Sequence, residues 1–210
     1  MTIEEKDTVH EKAPPNEGAL QGCSTNCIDT SSQGYDQLVS ECAENKSDIW
    51  IRNRSIEHAA ILFKYIVQSS EKVVYLFSGS LDHAFYKDEE LVGKTIKSFL
   101  SGDNERVINV VVTGSVDRDA TQALKEILTP EESGRFRICE LNLPTIDAME
   151  ISHFMASDSG ALRYEIEHTE EGGVTALASF GHKDFAATWI HMAEKTLSAF
   201  SRETKELTAF

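Results

Sequence analysis

Strand-like and helix-like segments alternate along most of this chain, and the alternation limits the fold more than any other feature of the sequence. Runs of β-branched and aromatic residues predict buried strands at Lys72 to Phe77 and at Val107 to Thr113. Apolar residues recur at helical spacing between such runs. The predicted elements of this half are strands at 48–51, 72–77, 107–113 and 136–141, and helices at 56–67, 91–100 and 120–128. Asn53 or Ser55 is expected to cap the first helix.

In the second half of the chain, short strands follow one another without intervening helices. Three short strands are predicted at 151–156, 161–166 and 174–180, and the turn sequences at 157–160 and 170–173 join them. A long helix over 185–200 follows. Since β-α-β crossovers are right-handed, the predicted fold class is α/β. We expect a mainly parallel sheet flanked by helices on both faces, with C-terminal antiparallel hairpin strands and a long closing helix.

The first 46 residues differ in composition from the rest. They contain nine acidic residues against three lysines and few large aliphatic side chains. Such a segment buries too little apolar surface to repay its chain entropy, so an acidic, disordered tail is predicted for 1–46. The alternative is a short helix over Tyr35 to Cys42 that docks through Leu38 and Val39. The folded domain is predicted over 47–203, and the C-terminus is expected to fray over 204–210.

Charge and the absence of apolar runs restrict the class of partner. The chain has 35 acidic and 20 basic residues, a formal net charge of −15, which opposes nonspecific binding to nucleic acid and to anionic lipid. No apolar stretch approaches the roughly 20 residues that span a bilayer. The charged N-terminus also lacks the apolar core of a secretory signal. A cytoplasmic protein without membrane insertion is therefore expected.

Cysteine usage indicates no metal centre. Cys23 and Cys27 have a spacing found in zinc sites, but no second pair accompanies them. Reduced thiols are the expected state of these residues and of Cys42 and Cys139. We expect neither a metal nor another cofactor, and no role is predicted for Cys23, Cys27 or Cys42.

Three stretches carry a resemblance to a known family. They are KVVYLFSGS at 72–80, EISHFMASDSGALRYEIEH at 150–168 and VTALASFGHKDFAATWIHMAEKTLSAF at 174–200. Together with the order of elements over 47–200, they resemble one half of the phospholipase D superfamily. In that family the histidine of an HxKxxxxD motif attacks phosphorus and the lysine binds phosphate oxygens. Two motifs converge from two halves or two subunits, so the resemblance implies a homodimer for a single half.

The family motif is broken in this chain in either register. If His153 takes the histidine position, Met155 stands at the lysine and Gly160 at the aspartate. If Asp158 takes the aspartate position, Ile151 stands at the histidine and His153 at the lysine. Methionine offers no charge to a phosphoryl oxygen, and isoleucine is no nucleophile. The usual catalysis of the family is therefore not expected.

A second histidine, lysine and aspartate occur together at 182–184, where the three residues are adjacent. Adjacent residues at a helix start point in different directions, so the spacing does not reproduce the motif. Asp184 is expected to cap the start of the closing helix.

The candidate binding residues are His153, Asp158, Arg163 and Glu165. His153 shares its strand face with apolar neighbours, so it is either a buried histidine satisfied by one hydrogen bond or a ligand-binding residue. Arg163 and Glu165 share a face of the next strand, where a solvated ion pair is the simple interpretation. If the two strands form a hairpin, the three side chains meet and could bind a small anion or transfer a proton.

Three functions follow from these observations. The leading hypothesis is a catalytically degenerate phospholipase D-like domain that acts in a bacterial cytoplasm as a binding, sensing or regulatory module through protein partners. The second is an active, divergent phosphodiesterase, either a nuclease or a lipid hydrolase. It would use His153 across a homodimer, with Arg163 or Lys183 replacing the missing lysine. The third is an unrelated α/β enzyme that binds a nucleotide or another anion.

Overall fold

The structure is a computed structural model. The structure describes residues 32–79, 89–113, 116, 118–141, 153–168, 174–200 and 205–206. The strands are β1 (Ile51–Asn53), β2 (Val73–Ser78), β3 (Val107–Val112), β4 (Phe136–Glu140), β5 (Phe154–Ser157), β6 (Leu162–His168), β7 (Val174–Ser179) and β8 (Lys205–Glu206). The helices are α1 (Ser32–Glu44), α2 (Ile56–Ser69), α3 (Lys94–Gly102), α4 (Arg118–Ile127), α5 (Pro130–Ser133) and α6 (Lys183–Phe200). A π-helical turn over Glu89–Gly93 leads into α3.

The strands form one eight-stranded sheet in the order β1-β7-β6-β5-β2-β3-β4-β8. The α/β class is confirmed, but the expectation of a mainly parallel sheet is wrong. Among the strand pairs that the described residues form, β2–β3 and β3–β4 are parallel and five are antiparallel. The reason is that the hairpin strands β5, β6 and β7 lie between β1 and β2. They occupy the side of β2 on which a simple crossover would place β1.

Helices cover both faces of the sheet, as expected. One core layer packs α1, α2 and α3 against side chains of β1 to β5 and β7. The other layer packs α6 against the opposite side of β2 to β6. The alanines at 186 and 193 are buried on the face of α6 that meets the sheet. Among the described residues, no helix is long and apolar enough to cross a membrane.

The folded domain begins earlier than position 47. Helix α1 buries Tyr35, Val39 and Cys42 in the core that it shares with α2. These residues follow one another at spacings of four and three, which places them on one helix face. Part of the segment assigned to a disordered tail is therefore the helix that we treated as the alternative. Residues 1–31, with Cys23 and Cys27, lie outside the described residues.

Two further boundaries differ from the prediction. The first strand was predicted at 48–51, but it pairs with β7 from Ile51 onward. The residues before Ile51 make other contacts. The Ser47 carbonyl accepts the Phe180 N–H at 3.0 Å, and the Trp50 ring stacks on His182 with centroids 4.5 Å apart. At the other end of the chain, β8 pairs with β4 within the segment expected to fray.

Candidate functional site

The candidate site lies at one edge of the sheet. The strand pairings make β1, β2, β3, β4 and β6 run in the same direction, so their carboxyl ends share that edge. Asn53 ends β1 and Ser78 ends β2 there, and His153 directly precedes the antiparallel strand β5. Ligands of open α/β sheets commonly bind outside the carboxyl ends of the strands.

Strand register brings three of the sequence-predicted residues together. The Glu165 N–H donates to the His153 carbonyl at 2.9 Å, which places the two residues opposite each other on neighbouring strands. Arg163 lies opposite Met155, one step further along the same strands. Side chains two apart on a strand share a face. Because Met155 belongs to the core layer beneath α1 and α2, the cluster occupies that face as well.

A fourth residue completes the cluster from a distant part of the sequence. His153 Nδ1 lies 2.8 Å from Glu165 Oε2, and Arg163 Nη1 donates to Glu165 Oε1 at 3.1 Å. Arg163 Nε and Nη2 both donate to Asn53 Oδ1, at 3.1 and 3.0 Å. Asn53 Nδ2 then donates to the Ser55 carbonyl at 2.7 Å. We call His153, Glu165, Arg163 and Asn53 the edge network.

The edge network is sheltered from solvent. The side chains of Glu165 and Arg163 are 12% and 14% exposed, and that of His153 is 24% exposed. Burial raises the pKa of Glu165, but the hydrogen bond from His153 and the charge of Arg163 outweigh it and hold that pKa below its ordinary value. Glu165 is therefore ionised at neutral pH. His153 Nδ1 lies beside this carboxylate, so a positive charge on the imidazole would be balanced by Glu165.

The other nitrogen of the imidazole lies against the end of β2. A methyl group added at Gly79 would come within 2.6 Å of His153 Nε2. Such an approach is shorter than a van der Waals contact, so a larger residue at position 79 would have to displace the imidazole ring. This side of the ring therefore faces the edge of the sheet at which ligands of open α/β folds commonly bind.

The carboxylate of Glu165 should make the stability of the fold depend on pH. A carboxyl group with a lowered folded-state pKa contributes its full stabilisation above its unfolded-state pKa, about 4.3, and loses it as the pH falls through the folded value. We therefore expect the difference in unfolding free energy between the wild type and Glu165→Gln to shrink as the pH is lowered from neutral into this acidic range. Urea unfolding of both proteins at a series of pH values measures this difference in free energy. A difference that stays constant down to the lowest pH would contradict the assignment.

Asp158 does not join the cluster. It lies in the turn after β5, at the opposite edge of the sheet. Its Oδ1 accepts from Ser70 Oγ at 2.8 Å and from the Glu71 N–H at 2.9 Å. Its Oδ2 accepts from the Lys72 and Val73 N–H groups at 2.7 and 3.1 Å. The carboxylate therefore shapes the turn that leads into β2.

Lys183, one of the two cations considered as a replacement for the motif lysine, also lies at the opposite edge. Its side chain packs on Gly160 in the turn between β5 and β6, where the glycine has a φ of +95°. The adjacent Asp184 occupies the first turn of α6. Arg163 is thus the candidate cation that the structure places beside His153.

Sequence reasoning missed the role of Asn53. It treated this residue as one of two candidate helix caps, whereas Ser55 is the cap and its Oγ accepts from the His58 N–H at 3.2 Å. No local signal marks Asn53, because its partner Arg163 is 110 positions away. Within the part of the chain that the structure describes, no group of three or more histidine, cysteine, aspartate or glutamate residues is arranged to hold a metal ion.

Comparison with solved structures finds a distant structural likeness. No known protein family and no curated protein matches the chain. Among solved structures, it is similar to TrmBL2, an archaeal chromatin protein whose structure is described as showing a novel mode of DNA binding. The superposition has a TM-score of 0.47 at 10% sequence identity and covers 83% of this chain and 61% of that one. A likeness this distant informs neither the fold family nor the function of this chain.

Proposed function

We propose that this chain is a catalytically degenerate phospholipase D-like domain that acts as a binding, sensing or regulatory module through a protein partner. The observation that carries the proposal concerns the position of the motif lysine. When His153 is set on the motif histidine, Met155 stands at that position, and it is 2% exposed as part of the hydrophobic core. A buried thioether cannot stabilise the charge that develops on a phosphoryl group.

The nearby cation does not replace the lysine. Arg163 lies directly across the hairpin from Met155, but its guanidinium already donates to Asn53 through Nε and Nη2 and to Glu165 through Nη1. Its charge is balanced by the Glu165 carboxylate. Among the four residues of the edge network, Arg163 is the permanent cation. Its charge is used in an ion pair with Glu165.

The surface beside α6 supports a protein as the partner. Five aromatic side chains contact one another there, namely Trp50, Tyr164, His182, Phe185 and Trp189. Phe185 is exposed, as is Met192 two turns further along the helix. Exposed aromatic and methionine side chains are typical of protein interfaces. The net charge of −15 favours a protein over a phosphate polymer.

A divergent phosphodiesterase is the second candidate, and one observation favours it. The 2.8 Å contact between His153 Nδ1 and Glu165 orients the imidazole as a carboxylate orients a catalytic histidine. The ring is also partly exposed at the edge of the sheet where ligands of α/β folds bind. An active phosphodiesterase would need a histidine that is oriented by a carboxylate and reachable by substrate, as His153 is here.

A phosphodiesterase assay distinguishes the noncatalytic module from the divergent enzyme. The purified protein should be assayed on single-stranded DNA, duplex DNA, RNA and a chromogenic phosphodiester, beside His153→Ala and the matched control His191→Ala. His191 is an exposed histidine of α6 outside the edge network. We expect no turnover by the wild type above that of His153→Ala. Turnover that is lost in His153→Ala and kept in His191→Ala would reject the noncatalytic module and identify the phosphodiesterase.

A further inference from the structure

We infer that the surface beside α6 is a groove that binds an amphipathic helix of a protein partner, with an acidic residue of that helix paired to Arg52. The inference rests on the proposed function in taking a protein as the partner, and it adds which structure and which charge that partner presents. It follows from a part of the sheet that α6 leaves uncovered.

The floor of the groove is the face of β6, β7 and β1 on the side of α6. Tyr164 of β6 lies opposite Leu177 of β7, and Leu177 lies opposite Arg52 of β1. Directly opposed residues share a face of a sheet, and Tyr164 packs in the core layer of α6. Because α6 itself packs over β5 and β2, Tyr164 and Leu177 are half-buried and Arg52 is exposed.

One side of α6 forms the wall of the groove. Phe185, Trp189 and Met192 follow one another at spacings of four and three, which places them on one side of the helix. The Phe185 and Trp189 rings contact the Tyr164 ring, so this side is turned toward β6. Phe185 is 41% exposed and Met192 is 38% exposed. The wall is therefore apolar and open to solvent.

The groove has the width of one helix. Neighbouring strands lie about 4.8 Å apart, so the floor from β6 to β1 is about 10 Å wide. An α-helix with its side chains has a diameter of about 10 Å. The opposite face of the sheet is covered by α1, α2 and α3 side by side. On this face the space beside α6 matches one more helix.

A helix fits this surface better than an extended segment does. The floor strands pair with one another through their backbones, so an extended segment lying on them could not form backbone hydrogen bonds to the floor. The outer edge of β1 is also in use, because the Arg52 carbonyl accepts from the Tyr35 hydroxyl of α1 at 3.3 Å. A helix satisfies its own backbone and binds such a groove through side chains alone.

Arg52 determines the charge expected of the partner. Its side chain is exposed, and none of the carboxylates in the described part of the chain forms an ion pair with it. A helix seated over Leu177 would take water away from this guanidinium, which is costly unless a carboxylate of the partner lies beside it. The apolar face of the partner helix should therefore be flanked by glutamate or aspartate.

A second copy of this chain does not meet these requirements. On the described helices, the exposed large apolar side chains are Ile56 at the start of α2 and the two wall residues Phe185 and Met192. The outward side of α6 presents the exposed polar residues His191 and Lys195. The described helices thus offer no unused apolar face to the groove of another copy.

The test is the binding of two synthetic helices, followed by the fluorescence of Trp50 and Trp189. These are the two tryptophans of the chain, and both contact Phe185 in the groove. Each peptide has the length of α6, is held helical by a side-chain crosslink and carries leucines at helical spacing. One peptide has glutamates beside the leucines, and the other has lysines at the same positions. The full-length protein is titrated at about 0.15 M salt, where a Debye length of about 8 Å screens its distant charges.

In the wild type we expect a saturable blue shift of the emission with the glutamate helix. The lysine helix should bind about fivefold more weakly, the scale of one exposed ion pair. Met192→Lys should weaken binding of the glutamate helix about tenfold, as expected for an interface anchor, and Phe185→Lys is a second wall variant with the same expectation. The matched control His191→Lys adds the same charge on the outward side of α6 and should bind as the wild type does. Arg52→Glu should reverse the preference between the peptides.

The inference is overturned if the glutamate helix causes no spectral change at about 1 mM. It is also overturned if the lysine helix binds the wild type equally well or better, if Arg52→Glu leaves the preference unchanged, or if the wall variants and His191→Lys weaken binding equally.

Sedimentation of the free protein tests the competing occupant. A dimer that forms with rising concentration, is lost in Met192→Lys and is kept in His191→Lys would show that a second copy fills the groove, and would overturn the inference. These measurements need no turnover. Their failure is therefore distinct from a failure of the noncatalytic assignment, which the phosphodiesterase assay reports.

Discussion

Replacing Arg163 by methionine is expected to lower the free energy of unfolding by about 3 to 5 kcal/mol, the range for a buried ion pair that loses one partner. The side chains of Arg163 and Glu165 are 14% and 12% exposed. Without the guanidinium, the Glu165 carboxylate remains largely buried with one neighbouring donor fewer, and Asn53 Oδ1 loses both of its donors. The cost arises from the unpaired charge and from the unpaired amide oxygen.

Urea unfolding measures this loss as a lower midpoint at an unchanged denaturant dependence. The matched control is Arg163→Met combined with Glu165→Gln, which removes the uncompensated charge and should recover part of the stability. A loss of about 1 kcal/mol or less in the single variant would be that of a solvated surface pair. It would show that the edge network is not sheltered as we describe it.

Replacing Asp158 by alanine is expected to lower the free energy of unfolding by about 2 kcal/mol, since several hydrogen bonds to an ionised acceptor are lost at once. The carboxylate accepts from Ser70 Oγ and from three successive backbone N–H groups at 71–73. The side chain is exposed, so water replaces some of these contacts and the loss stays below the sum of the separate bonds.

Asp158→Asn is the matched control for this prediction. Asparagine keeps one acceptor oxygen of the same shape but presents an NH2 group to the remaining N–H groups. We therefore expect it to lose less stability than the alanine variant. Thermal and urea unfolding of the three proteins provide the comparison. Wild-type stability in Asp158→Ala would show that the turn into β2 forms without the carboxylate.

The sequence predicted part of the candidate site because part of it depends on local spacing. Residues two apart on a strand share a face, and a four-residue turn joins the two strands. Together these features indicated that His153, Arg163 and Glu165 would meet. Asp158 became a candidate for a different reason, because one register of the family motif sets it at the aspartate position, and a motif register does not distinguish the two ends of a strand. The structure separates them by the length of β5.

Asn53 could not be predicted in the same way. Its contact with Arg163 requires β1 to lie beside β7 and β7 beside β6. The alternation of segments predicted a mainly parallel sheet but not which strands lie beside β1. Helix α1 was misjudged for a related reason. Its apolar face is narrow, and its stability comes from packing on α2 and not from its own composition.

Local sequence patterns account for most of the helices and strands between residues 51 and 200, since apolar periodicity and turn residues act over a few positions. The helix at 56–69 and the strands at 73–78 and 107–112 follow from them closely. The order of the strands and the direction of their pairing are set by tertiary packing. Strand order depends on the whole set of apolar faces that must be buried together, and several arrangements of the same elements satisfy the local pattern. The edge network exists because of that order, which brings one asparagine of the first strand to an arginine of the sixth.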